Sequence, residues 1–154
     1  MPVSITWDEN ALAYLISPPP PSYVLRDVLL GIHASQDLNA LSMLGKDLLR
    51  SLVVTRLFQP PITEDFEERI ESRLTDQRLA RIARETGLLA RLNIQDIATN
   101  EANIAHLVYA YLGATLRCAW NESGNNSIHQ SVNDICSLAL DYEGSLNGHQ
   151  SPDD

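Results

Sequence analysis

The stretch Ile104-Ala105-His106-Leu107-Val108-Tyr109-Ala110-Tyr111-Leu112-Gly113-Ala114-Thr115-Leu116 decides the fold. Ile104, Leu107, Val108, Tyr111, Leu112 and Leu116 recur at three- and four-residue spacing and leave almost no polar face. That pattern predicts a helix enclosed by other helices. Gly113 and Ala114 fill little space and let a second helix approach closely. His106 and Tyr109 are three apart and so share one face of this apolar rod. An imidazole and a phenol cost free energy to bury unless something pairs with them.

Outward from this rod, the composition bounds the rest. The chain has 154 residues, 44% of them hydrophobic, which suits one domain with a real core. No window holds the roughly 18 uninterrupted apolar residues of a membrane span. No basic segment leads an apolar run at the N-terminus, so no secretory signal is expected. The two cysteines, Cys118 and Cys136, make a poor disulfide framework, and reduced thiols in a cytoplasmic helical core are expected. A formal charge of −9 disfavours RNA as a partner, because such a surface repels a polyphosphate backbone. Arg69, Arg73, Arg78, Arg81, Arg84 and Arg91 alternate with Glu67, Glu68, Glu71, Asp76 and Glu85, the pattern of a salt-bridged, solvated face.

In chain order, Thr6 or Asp8 caps a first helix reaching Ile16, with Trp7 as its staple. The run Ser17-Pro18-Pro19-Pro20-Pro21-Ser22 stops it and acts as a stiff spacer. Residues 1–22 therefore form a leader to a domain over 23–143. Tyr23 to Leu30 reads as a helix broken at Gly31. Gln36 to Phe58 is a second apolar rod through Leu38, Leu41, Leu44, Leu48, Leu49, Leu52, Val53 and Leu57, and Pro60-Pro61 follows it. Thr63 opens an acidic helix through Leu74, and another spans Asp76 to Thr86 with Gly87 as its stop. A polar loop over 93–100 leads to Thr99 or Asn100 as cap of the central helix, which runs to about Trp120. Asn121 to Asn126 reads as a turn, and Ser127 caps a last amphipathic helix. Residues 144–154 are expected to be disordered. The architecture is all-α.

Three segments in this order resemble the ribonuclease III domain. Leu41-Ser42-Met43-Leu44-Gly45-Lys46-Asp47-Leu48-Leu49 is similar to that family's first motif, in which an acid, an aromatic, Leu, Gly and Asp follow one another. Leu79-Ala80-Arg81-Ile82-Ala83-Arg84-Glu85-Thr86-Gly87-Leu88 resembles its Leu-Ala-x-x-Ala-x-x-x-Gly-Leu segment. Ala105-His106-Leu107-Val108-Tyr109-Ala110-Tyr111-Leu112-Gly113-Ala114 resembles its second motif, and His33 a histidine shortly before the first. The resemblance spans about Val24 to Leu140 and implies a helical domain pairing into a two-fold dimer. No double-stranded-RNA-binding domain is expected after it.

In the family four carboxylates hold divalent metal, and metal-bound water cuts phosphodiesters. Those places fall here on Ser42, Lys46, His106 and Tyr109, none of them a carboxylate. Shifting the second motif by four places gives Ala102 and Ala105, equally devoid of acids. Asp47 and Glu101 lie beside the motif positions, and a helix turns such neighbours about 100° onto another face. Magnesium needs hard oxygen ligands, so no metal or other cofactor is expected. The four replacements are chemically able groups: lysine to hold an oxyanion, histidine as base, tyrosine as acid, serine as nucleophile or donor. They are equally the set that drift leaves along a solvated groove. The expectation is a homodimer acting on a small carbonyl or polyketide-like substrate by acid–base chemistry, with a non-catalytic scaffold binding a protein partner as the competing reading.

Overall fold

The computed structural model describes residues 5–16, 36–92, 94, 100–123 and 129–150, of which 36–37, 120–123 and 142–150 as backbone. The proline run 17–22, the helix expected over 23–30, His33, Thr99, most of the 93–100 loop, and Ser127 lie outside the described residues. All regular structure among those described is helical. In order come α1 (Glu9–Ile16), α2 (Gln36–Leu57), α3 (Phe66–Arg73), α4 (Asp76–Thr86), the single turn α5 (Leu88–Arg91), α6 (Glu101–Ser123) and α7 (Gln130–Gln150). None is long and apolar enough to cross a membrane.

α6 is the enclosed rod. Ile104, Ala105 and every residue from Leu107 to Thr115 are buried, with α2, α4 and α1 packed around it. Its start is set by Asn100, whose side chain accepts the Asn103 N–H at 2.8 Å. α6 continues through Asn121, Glu122 and Ser123, where a turn was expected, because adding residues to an existing helix costs far less than starting one.

The crossing of α2 over α6 is a backbone-on-backbone contact. A Cβ on Gly45 would sit 1.8 Å from the Tyr109 carbonyl oxygen, and one on Gly113 would sit 2.0 Å from that of Leu41. Only glycine at both places permits this approach. It fixes the register of the two apolar rods, so it decides which of their polar side chains meet.

The other helices start and stop for local reasons. Asp8 caps α1, its carboxylate accepting the N–H groups of Asn10 at 3.1 Å and Ala11 at 3.3 Å. α3 begins at Phe66, later than the expected Thr63. The Thr63 hydroxyl holds the Asp65 carboxylate in the preceding turn, which leaves no side-chain cap further upstream. Thr75 caps α4 by accepting the Arg78 N–H at 3.2 Å. Gly87 ends α4 at φ 82°, the left-handed conformation that glycine adopts without strain, and α5 follows at once. α7 carries on past Gly144 to Gln150, where disorder was expected. Gly144 and Gly148 weaken the helix without stopping it, and the next proline is Pro152.

Arginines tie the helices together. Arg50 on α2 reaches Glu71 on α3 at 2.8 Å, Arg84 on α4 reaches Glu101 on α6 at 3.8 Å, and Arg91 on α5 reaches Glu9 on α1 at 2.6 Å. Arg81 and Glu85 pair within α4 at 2.7 Å. The charged face is thus salt-bridged as its alternation suggests, yet most of its pairs join separate elements. Arg78, which the sequence places on that face, is instead buried, with its Nε donating to the Ala139 carbonyl on α7 at 2.6 Å.

Candidate functional site

The glycine crossing brings Ser42 and Lys46, one turn apart on α2, against His106 and Tyr109, three residues apart on α6. The four expected site residues meet as two pairs. Ser42 Oγ lies 2.9 Å from His106 Nδ1, a hydrogen bond across the helix–helix contact. Lys46 Nζ lies 5.9 Å from the centroid of the Tyr109 ring, at cation–π range.

Ser42 is 6% exposed and His106 half-buried. Burial lowers the His106 pKa from its ordinary value of 6.5, because the imidazolium would give up hydration without gaining a carboxylate. The ring is therefore held neutral, with one nitrogen that accepts and one that donates. Lys46 is exposed and, among the described residues, joins no ion pair. Glu71 on the facing helix is already engaged by Arg50. A solvated ammonium on an aromatic face remains available to an incoming anion.

Tyr109 is a wall more than an acid. Its hydroxyl makes a long hydrogen bond, 3.5 Å, to the Leu74 carbonyl at the end of α3. Burial first, then the carboxylates of Asp76 and Glu71, push its pKa up to about 12. The proton stays on the phenol at neutral pH, and the ring face is what Tyr109 presents to Lys46.

Two clefts flank the α3–α4 corner, and Thr75 lines both. One, about 590 Å³, is formed by Arg78, Arg81 and Arg84 with Gln77, Glu85 and Glu101; the other, about 530 Å³, by Glu67, Glu68, Glu71 and Ser72. Neither is lined by Ser42, Lys46, His106 or Tyr109. Among the described residues no three His, Cys, Asp or Glu side chains converge as a metal-ligand set. Cys118 and Cys136 form no disulfide, and burial pushes the Cys136 thiol upward in pKa.

A second polar cluster was not anticipated from the sequence. The Asp8 backbone N–H donates to the Tyr111 phenol at 2.8 Å, and that phenol shares a hydrogen bond of 2.7 Å with Ser131 Oγ. Ser131 Oγ is in turn 2.9 Å from His129 Nδ1, which also accepts the Ser131 N–H at 3.0 Å and so serves as the cap of α7. Trp7 closes this end, edge-on to Tyr111 at 5.1 Å. Tyr111 and Ser131 are fully buried, so the cluster locks α1, α6 and α7 together and is closed to a substrate. One signal was available: a tyrosine in an apolar helix must find a partner for its hydroxyl.

Comparison of the chain with protein-family models, with curated proteins and with solved structures finds no match.

Proposed function

We propose that this chain is a ribonuclease III-like domain, paired about a two-fold axis, that has lost metal-dependent RNA cleavage. In its place stands a cytoplasmic, metal-free acid–base enzyme for a small carbonyl or polyketide-like compound. The observation that carries this reading is the Ser42–His106 hydrogen bond of 2.9 Å with Lys46 beside it on the Tyr109 ring. The ribonuclease III resemblance is supported by the position of its motifs. The first lies on α2, the second on α6, and the glycine of each is where the two backbones touch. Hydroxyl, ammonium, imidazole and phenol do not fit a magnesium site, which needs carboxylate oxygen, so no step runs through metal.

In this site a neutral His106 takes and returns a proton, and Lys46 stabilises the enolate or oxyanion formed meanwhile. Tyr109 holds Lys46 in place. RNA is disfavoured as substrate by the charge of −9. A second reading, a dimeric scaffold for a protein partner, draws on the two charged clefts, which lie away from the four residues.

The test is turnover of a panel of small β-keto esters. His106→Ala is expected to lower the rate about 10²–10⁴-fold as loss of a general acid–base does. Lys46→Met keeps the aliphatic stem and removes the charge, and should also lower it; Tyr109→Phe should cost less. Each variant is first checked for native helical content. Unchanged turnover in all three would refute the site and leave the scaffold reading.

A further inference from the structure

A neutral imidazole has a single accepting lone pair, and its placement says which proton it can take first. In His106 the nitrogen facing α2 is Nδ1, 2.9 Å from Ser42 Oγ. Ser42 is 6% exposed, and this is its one side-chain hydrogen bond among the described residues. Were Nδ1 to carry the hydrogen, the Ser42 hydroxyl would keep its own proton without an acceptor in a buried place. The arrangement that satisfies both groups has Ser42 O–H donating to Nδ1, with the hydrogen of the ring on Nε2. The lone pair is then already directed at Ser42. The first proton His106 removes is the hydroxyl's, and removing it makes a nucleophile.

We infer that Ser42 is a covalent nucleophile and that the substrates are carboxylic esters or thioesters, hydrolysed through an acyl-Ser42 intermediate. This rests on the acid–base reading of the same site and selects hydrolysis among the reactions that reading allows. Ser42 Oγ attacks the carbonyl carbon while its proton passes to His106 Nδ1. The bond from Oγ to carbon forms, and the electron pair of the carbonyl moves onto its oxygen. That pair returns as the bond to the leaving group breaks, and His106 gives its proton to the departing alkoxide or thiolate. Water then repeats the sequence: its proton goes to His106, its oxygen bonds the acyl carbon, and Ser42 leaves with the proton returned. Ester and water become acid and alcohol, with nothing oxidised. Lys46, one turn along the same face of α2 and in no ion pair among the described residues, is the cation offered to the transient oxyanion.

The experiment is labelling of the full chain with a fluorophosphonate, in which Ser42 Oγ bonds phosphorus and fluoride leaves. Intact mass should show one adduct, and peptide mapping should place it on Ser42 alone, with the exposed Ser51 and the half-buried Ser137 as internal controls. Ser42→Ala should take up no label, and His106→Gln should slow labelling about 10²–10⁴-fold. The wild-type labelling rate should rise with pH through a midpoint below 6.5, the ordinary histidine value that burial lowers here. No adduct on folded wild-type protein, or an adduct mapped elsewhere, overturns the nucleophile whatever the variants do. If label is absent while His106-dependent turnover of β-keto esters persists, acyl-Ser42 is refuted and the acid–base reading stands. Label on Ser42 with no such turnover supports the nucleophile and removes the β-keto ester substrates.

Discussion

Burial of His106 bears on the stability of the fold as well as on the site. Its pKa in the folded chain lies below the ordinary 6.5, so the unfolded chain takes up that proton first as the medium is acidified. Below about pH 6.5 the unfolded state therefore binds more protons, and stability falls with pH until the folded histidine titrates too. Above that window the group contributes no pH dependence. Urea denaturation at a series of pH values should show this decline in the wild type and a flatter acid limb in His106→Gln. An unchanged limb would mean that burial of this imidazole does not set its titration. Ser42, Lys46, His106 and Tyr109 were legible as a set from their places in two motif-like segments. Their pairing was not legible, because it depends on the angle and register of two helices. Nor was the role of Tyr109, whose phenol is committed to Leu74 by a corner between α3 and α4 that no spacing within α6 reveals.

Between elements, the decisive contact is the Gly45–Gly113 crossing. Gly45→Ala would put a methyl carbon 1.8 Å from the Tyr109 carbonyl oxygen, where neither neighbour is a flexible side chain. The helices must separate, at a cost of about 1–3 kcal/mol or more, the range for overpacking a tight core. Denaturant titration of Gly45→Ala measures that loss, and the same variant should label poorly at Ser42, since the separation also lengthens its bond to His106. Helix identity was plain from the apolar periods of α2 and α6, and the stop at Gly87 and a start at Thr99 or Asn100 from residue type; the Thr75 cap of α4 was not read. Ends set by tertiary or propagation effects were less so. α3 starts late because Thr63 engages Asp65, and α7 is capped by His129, a residue with no standing as a cap by composition. Buried Arg78 was misread because its alternation with acids is local, while its carbonyl partner lies on a helix far along the chain.

For the whole molecule, the proposed two-fold pairing has apolar surface to cover. Met43 is 69% and Leu44 38% exposed on α2, and Phe58 and Ile62 stand out just beyond its end. Light scattering at micromolar concentration should give twice the mass of the chain; a monomer would refute the pairing. The single lysine stands apart from the arginines, several of which are spent on holding helices together. The glycine crossing has one further meaning. Because α2 and α6 meet through their main chains, the positions at 42, 46, 106 and 109 are held at their separations by atoms that every residue type shares. The frame is a socket, and its pins are exchangeable. A different side chain at 42, 46, 106 or 109 changes what the site offers without touching the main-chain contact that sets the separation of the helices.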